Sequence, residues 1–342
     1  MVFDFHGGEV KDKIEYDFSV NTNPCGIPSY VQKAILKNID LCSEYPDRHC
    51  SKLSKEIAEY ECLDASQILC GNGASELIMA ICASFSMKKH MTAAIMAPTF
   101  SGYERAVKAF GGNVLFYKNA EELKELVVKN ADLTIVFLCN PNNPTGEYIK
   151  KEDIEELVML TNPKSIPICI DECFIEFTHE ESLTNMVNKY DNLIVLKAFT
   201  KFFGLAGIRL GYMCAKKHIC DTVKNYLPEW NVSHIAQCAG IAALRDKDEL
   251  TQWKDETLSV VDTGREYLTE ELRKLGIKVF ESKTNYLLCK LNTKDIWTKL
   301  KDKGILVRDC SNFHELNASY IRICVSAAEK NKILIEALKT IL

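Results

Sequence analysis

The sequence predicts an α/β fold: a large domain with a mainly parallel central sheet flanked by helices, plus a smaller α+β domain. Three observations carry this. Through the middle of the chain, short β-rich runs alternate with amphipathic helical stretches, the order expected of a parallel sheet with crossover helices. Several of the runs are continuously apolar rather than alternating, which suits strands covered on both faces. Towards the end the chain changes character, and a long charged helical stretch leads into strands and helices in α+β order.

Taken in order, the large-domain strands are expected at 93–97, 114–117, 133–139, 166–170, 193–197 and 210–214, with helices at 75–85, 102–110, 120–129 and 151–160. A helix at about 250–275 ends at Gly276, a residue suited to a helix stop. After it come a strand at 278–280, a strand at 285–291 and a helix at 293–303. Strands near 305–308 and 320–325 and a closing helix at 329–341 follow. Two or three of these strands, with helices on one side, would form the smaller domain. A domain boundary is expected near 228–231, so that 29–230 forms the large domain and 231–342 the small one.

The chain has 342 residues, 47% hydrophobic and 26% charged, with a net charge of −5. That length allows about two domains, and the composition is that of a folded globular protein rather than a disordered one. The acidic balance argues against general binding of nucleic acid or anionic membrane, although a few local cations suffice for a small anion. The start shows no basic segment followed by an apolar run, and no stretch approaches the length of a membrane span. The 15 cysteines include no CxxC, and no Cys/His quartet surrounds Cys169 and Cys173. Many lie in apolar runs and read as reduced, buried thiols of a cytoplasmic protein, with no metal site.

Four motifs carry chemistry. Gly71-Asn72-Gly73-Ala74-Ser75-Glu76 leads into a helix, where unpaired backbone N–H groups and the helix dipole favour a phosphate. It lacks the third glycine of a dinucleotide fingerprint and the GK[ST] of a Walker loop. Asn140-Pro141-Asn142-Asn143-Pro144-Thr145-Gly146 closes an apolar strand, either as a bare rigid turn or as a binding loop offering directed amides. Asp171-Glu172 follows another apolar run. There Asp171 either caps the loop or points into the crevice at the strand end and keeps a heterocyclic nitrogen protonated. Lys201, in Thr200-Lys201-Phe202-Phe203-Gly204-Leu205-Ala206-Gly207-Ile208-Arg209-Leu210-Gly211, either snorkels to solvent or is desolvated; a desolvated lysine has a lowered pKa suited to imine chemistry. Each motif falls where a strand of one sheet ends. Together they suit an aromatic phosphate cofactor, pyridoxal 5′-phosphate.

These motifs identify a resemblance. Over nearly its whole length the chain resembles fold-type I pyridoxal-phosphate-dependent aminotransferases of class I/II. It is most similar to the branch that holds histidinol-phosphate aminotransferases and the threonine-phosphate decarboxylases of cobalamin biosynthesis. His6-Gly7-Gly8, the run Asp17-Phe18-Ser19-Val20-Asn21-Thr22-Asn23-Pro24-Cys25-Gly26, Cys310-Ser311-Asn312-Phe313 and Tyr320-Ile321-Arg322 resemble the decarboxylases. The resemblance implies that Lys201 attaches the cofactor, Asp171 pairs with its pyridine nitrogen, Asn143 donates to the ring hydroxyl and Phe100 stacks on the ring. It implies a phosphate site of Ala74 and Ser75 backbone groups, Thr200 and Arg209. Tyr45 would reach the cofactor phosphate of a second subunit, making a homodimer with shared active sites. Arg322 and Arg308 would bind the anionic groups of a phosphorylated amino acid, joined by His6 and Asn21 from an N-terminal arm, 1–28, that belongs with the small domain. Two positions depart from the aminotransferase pattern: Phe174 replaces a tyrosine that hydrogen-bonds the ring hydroxyl, as expected of the decarboxylases, and Ala198 replaces a Ser or Thr of the phosphate site.

The resemblance implies decarboxylation of L-threonine O-3-phosphate to (R)-1-aminopropan-2-yl phosphate for cobalamin. Alternatives are decarboxylation of L-serine O-phosphate to ethanolamine phosphate, and histidinol-phosphate transamination. A non-catalytic regulator of this fold would carry an added DNA-binding segment, for which motifs beginning at His6 leave no room. His49, His90, His179, His218, His234 and His314 show no ligand spacing and read as surface or packing residues, and Trp230 and Trp297 as packing.

Overall fold

Strand 133–139 is apolar because both its faces are covered: every residue of Leu133–Cys139 is buried. Ile135, Phe137 and Cys139 enter one apolar cluster, and Val136 and Leu138 another on the opposite face. A period of two thus feeds two layers. The computed structural model describes residues 7–8, 13–86, 90–292 and 295–342. Its strands are β1 (Tyr16–Phe18), β2 (Ile68–Gly71), β3 (Thr92–Met96), β4 (Asn113–Tyr117), β5 (Leu133–Cys139) and β6 (Ile168–Asp171). They continue with β7 (Leu193–Ala198), β8 (Gly211–Ala215), β9 (Lys278–Val279), β10 (Tyr286–Lys290), β11 (Ile305–Asp309) and β12 (Tyr320–Cys324).

The larger sheet has the order β2-β8-β7-β6-β5-β3-β4. β4, β3, β5, β6 and β7 run parallel, while β8 lies antiparallel between β7 and β2. The reversal matters for the site. Gly211 stands opposite both Gly71 and Ala198, so the segment that enters β8, with Arg209, lies at the same sheet edge as the ends of β2 and β7. Crossover helices include Ala74–Ser86, Gly102–Ala109, Ala120–Lys129 and Lys151–Thr161. This is the mainly parallel, helix-flanked sheet that the alternation of strands and helices predicts.

The smaller sheet, β1-β11-β12-β10-β9, has five strands rather than two or three. All four strands expected from 278 onward join it, and the fifth is β1, which pairs in parallel with β11, Tyr16 opposite Ile305; a three-residue strand with so distant a partner leaves no local pattern. The helix Lys247–Lys274 starts earlier than expected because Asp246 caps it, accepting from the N–H groups of Asp248 and Glu249. β6 starts at Ile168 because Pro167 has no N–H for a ladder bond. The helix expected at 293–303 spans Ile296–Asp302, and residues 293–294 lie outside the described residues. The helix His234–Arg245 packs on Ser29–Lys37 and Ser51–Glu61, neither of which the sequence pattern announced.

Among the described residues no helix is long and apolar enough to cross a membrane, and no cluster of His, Cys, Asp and Glu has the makings of a metal site. The cysteines are unbridged and most are buried.

Candidate active site

The C-terminal ends of β2, β3, β5, β6 and β7, the entry to β8 and one face of the smaller sheet enclose a cavity of about 220 Å³. The first motif shapes one end of it. Asn72 N–H donates to Glu76 Oε2 at 2.7 Å, turning the chain into the helix Ala74–Ser86. Gly73 takes φ +78°, and a Cβ there would sit 2.7 Å from Arg209 Nη2, so only glycine leaves that guanidinium its place. Ala74, Ser75, Thr200 and Arg209 all border the cavity here. The result is a cationic cradle at a helix N-terminus.

Asp171 lies deeper, at the end of β6, only 6% exposed. Its Oδ1 accepts the Cys173 N–H at 2.9 Å and its Oδ2 the Tyr103 hydroxyl at 2.6 Å. Phe100 borders the cavity and meets the Tyr103 ring edge-on at 5.5 Å. Lys201 stands in the short helix Phe199–Phe202 that follows β7, its Nζ 5.9 Å from the centre of the Phe174 ring. Burial, then the charge of Arg322, lowers the Lys201 pKa to about 8, the direction the apolar sequence around it predicts.

The smaller sheet supplies the other wall. Arg308 on β11 and Arg322 on β12 are directly opposite each other, and both are buried. Arg322 donates to Asn143 Oδ1 and, from Nη2 at 2.8 Å, to the Ser19 carbonyl, while its Nε–H has no partner. The guanidinium therefore turns the Asn143 carbonyl towards itself and leaves the NH2 group of that amide as donor. Arg308 donates to Asn312 Oδ1 at 2.8 Å and lies over the Phe313 ring at 5.3 Å. Asn21 borders the same space, and both its amide atoms are buried without a partner.

Of the residues singled out from sequence, Ala74, Ser75, Phe100, Asn143, Asp171, Phe174, Thr200, Lys201, Arg209, Arg308, Arg322 and Asn21 all border this one cavity. Tyr45 does not: it is 82% exposed and packs on Trp230 at 4.9 Å. Trp230 is itself half exposed rather than a core residue. His6 lies outside the described residues. Tyr103 was not singled out; its position three residues after Phe100, on the buried face of a short helix, is the only trace it leaves in the sequence. Tyr286 also escaped notice. Its hydroxyl donates to the Asn142 carbonyl at 2.9 Å, and its ring lies under Arg322 at 5.4 Å.

The family model for aminotransferase class I and II matches residues 13–341. The chain belongs to this family. Among curated relatives, the "Putative threonine-phosphate decarboxylase" of Caldanaerobacter subterraneus subsp. tengcongensis is 38% identical, over 98% of this chain and 93% of its own length. The structure of the histidinol-phosphate aminotransferase from Clostridium acetobutylicum superposes with a TM-score of 0.87 at 33% identity, covering 95% of this chain and 98% of that one. That of L-threonine-O-3-phosphate decarboxylase from Porphyromonas gingivalis gives 0.83 at 25% identity, covering 95% and 98%.

The aminotransferase class I and II family uses pyridoxal phosphate, and the donors present fit that group. A cationic cradle takes a phosphate, a buried carboxylate takes a protonated pyridine nitrogen, and an amide NH2 takes a phenolic oxygen. A lysine with a lowered pKa offers the amine that an aldehyde requires.

Proposed function

We propose that this chain is a pyridoxal-phosphate-dependent decarboxylase of L-threonine O-3-phosphate, releasing CO2 and (R)-1-aminopropan-2-yl phosphate. The observation that carries the reading is the pair of buried arginines facing each other on β11 and β12, with Arg322 bonded only to neutral oxygens and one N–H unused. Arg322, with neutral partners and an unused Nε–H, keeps capacity for an anion beside the second guanidinium. A phosphorylated amino acid brings a carboxylate and a phosphate, and arginine pairs bidentately with both. The similarity to the named decarboxylases, and Phe174 where aminotransferases carry a tyrosine, support the same reading.

In this reading Arg209, Thr200, Ser75 and the Ala74 and Ser75 backbone hold the cofactor phosphate. Asp171 holds a proton on the pyridine nitrogen, Asn143 donates to the ring hydroxyl, and Phe100 covers the ring. Lys201 Nζ attaches the cofactor. The chemistry that the bound group supplies is an electron sink for whichever Cα bond stands perpendicular to its ring. Arg308 and Arg322, with Asn21 and His6 of the arm, then decide the outcome by orientation. They would hold the substrate so that its carboxylate is the group lost, and Lys201 Nζ–H would supply the proton that takes its place at Cα. Tyr45 completes the phosphate site of a second subunit, so the active form is a homodimer.

The test is CO2 release from O-phospho-L-threonine by holoenzyme with no oxo acid present. Phosphoserine serves as a second substrate, because a methyl group is worth only about 1–3 kcal/mol of discrimination. A second reading, histidinol-phosphate transamination, is supported by the 33% identity to the Clostridium acetobutylicum enzyme. It takes over if histidinol phosphate turns over with 2-oxoglutarate and phosphothreonine yields no CO2.

A further inference from the structure

The two arginines are held in different ways. Arg322 is tied to elements outside its own hairpin, Asn143 after β5 and the Ser19 carbonyl after β1. Arg308 takes two of its contacts, Asn312 and Phe313, from the loop that joins β11 to β12. That loop is a stack of tight turns. The Cys310 N–H donates to the Tyr320 carbonyl at 3.0 Å to close its base, Phe313 N–H to Cys310 O at 3.1 Å, and Leu316 N–H to Phe313 O at 3.0 Å. The tip and the arginine contacts therefore move as one piece.

The tip is fastened to the other sheet. The His314 ring stacks on Phe116 of β4, the edge strand of the larger sheet, with centroids 3.9 Å apart and planes 11° from parallel. One residue on, Lys118 Nζ pairs with Glu315 at 2.9 Å. The ion pair is largely exposed, at 56% and 38%, and such pairs hold little. The stack is the stronger fastening. Neither His314 nor Phe116 borders the cavity, so any effect they have on substrate passes through the loop.

We propose that His314 and Phe116 are positioning residues that latch the β11–β12 loop to the larger sheet and thereby set Arg308 for a phosphorylated substrate. The inference rests on the functional reading above, in which Arg308 meets a substrate anion. Releasing the latch lets Asn312 and Phe313, two of the contacts that orient the Arg308 guanidinium, shift out of place. Arg322 and Lys201 keep their own supports, and Arg308 is assigned to the substrate phosphate rather than to the carboxylate, so the loss falls on binding rather than on the chemical step.

The test is the dissociation constant of O-phospho-L-threonine from single-turnover stopped-flow mixing with holoenzyme, alongside KM and kcat. His314→Ala and Phe116→Ala should each weaken binding about two- to tenfold, the range of one aromatic pair, and raise KM equally with kcat within twofold. His314→Phe, which keeps the stack without the imidazole, should restore wild-type binding. Unchanged binding in both alanine variants overturns the latch, as does a His314→Phe variant as weak as His314→Ala. A fall in kcat at unchanged KM also overturns it. Wild-type holoenzyme that binds no O-phospho-L-threonine overturns the functional reading itself, an outcome distinct from wild-type binding that the variants share.

Discussion

Asp171 is supported by two donors of different kinds, a backbone N–H that any residue at position 173 would supply and the Tyr103 hydroxyl, which only a tyrosine supplies. A hydrogen bond to a buried charged group contributes about 1.5–3 kcal/mol. Tyr103→Phe should therefore loosen the cofactor by roughly tenfold or more, read by equilibrium dialysis, while the buried ring keeps its place against Phe137 at 5.2 Å. Unchanged affinity would mean that Asp171 does not depend on Tyr103. Lys201 offers a second check. A lysine pKa lowered to about 8 leaves about half of the amine neutral at pH 8, whereas an ordinary lysine is almost wholly protonated there. In cofactor-free protein, Lys201 should react fastest of all lysines with an amine-directed reagent, with a rate that rises through pH 8. Labelling that follows the surface lysines up towards pH 10 would show the site to be wetter than its geometry implies.

Strand alternation accounts for an asymmetry between neighbours. Asp171 faces the cavity, and Glu172 faces the opposite layer, where Lys197 bridges Glu61 at 2.9 Å and Glu176 at 2.8 Å. Glu172 accepts from the Ser182 hydroxyl at 2.5 Å and the Leu183 N–H at 2.8 Å, yet burial raises its pKa from 4.5 to about 7. The folded chain thus binds this proton more tightly than the unfolded chain. The stability it contributes is complete below about pH 4.5 and is lost as pH rises through about 7. Glu172→Gln keeps an acceptor for Leu183 and removes the charge. Its melting temperature should exceed wild type by a few degrees at pH 8 and match it near pH 4.5; a deficit at pH 8 would show that Lys197 already compensates the carboxylate. At this scale the sequence was most readable where one strand filled both layers. Leu133–Cys139 and Ala120–Lys129 fall where their periodicity puts them. The Lys197 cluster was not readable, because Glu61 comes from a helix far away in the chain and nothing local marks it. The four strand-end motifs were readable because each needs unusual residues in a short run. Tyr103 and His314 were not, since each acts through a partner brought to it by the fold.

The cavity lies between the two sheets, and the N-terminal segment ties them together. Asn23 Nδ2 donates to the Phe202 carbonyl at 2.6 Å and to Thr257 Oγ1 at 2.9 Å, and the Asn23 N–H donates to the Lys201 carbonyl at 3.1 Å. The Asn140–Gly146 loop meets the smaller sheet through the Lys283 N–H, which donates to the Gly146 carbonyl at 2.9 Å, and through Tyr286. Every residue proposed to touch the cofactor but one borders the cavity of a single chain. Tyr45 is the exception, exposed beside Trp230, and the homodimer reading assigns it to the neighbouring site. That assignment has a consequence no single-chain arrangement shares. In a dimer built of one Tyr45→Ala chain and one Lys201→Ala chain, one site carries both defects and the other carries neither. Random reassociation of the two inactive proteins makes about half of the dimers mixed, each with one intact site, so about one quarter of wild-type activity should return. If Tyr45 serves its own chain's cavity, each site in the mixed dimer keeps one defect, and mixing restores nothing beyond the sum of the two variants.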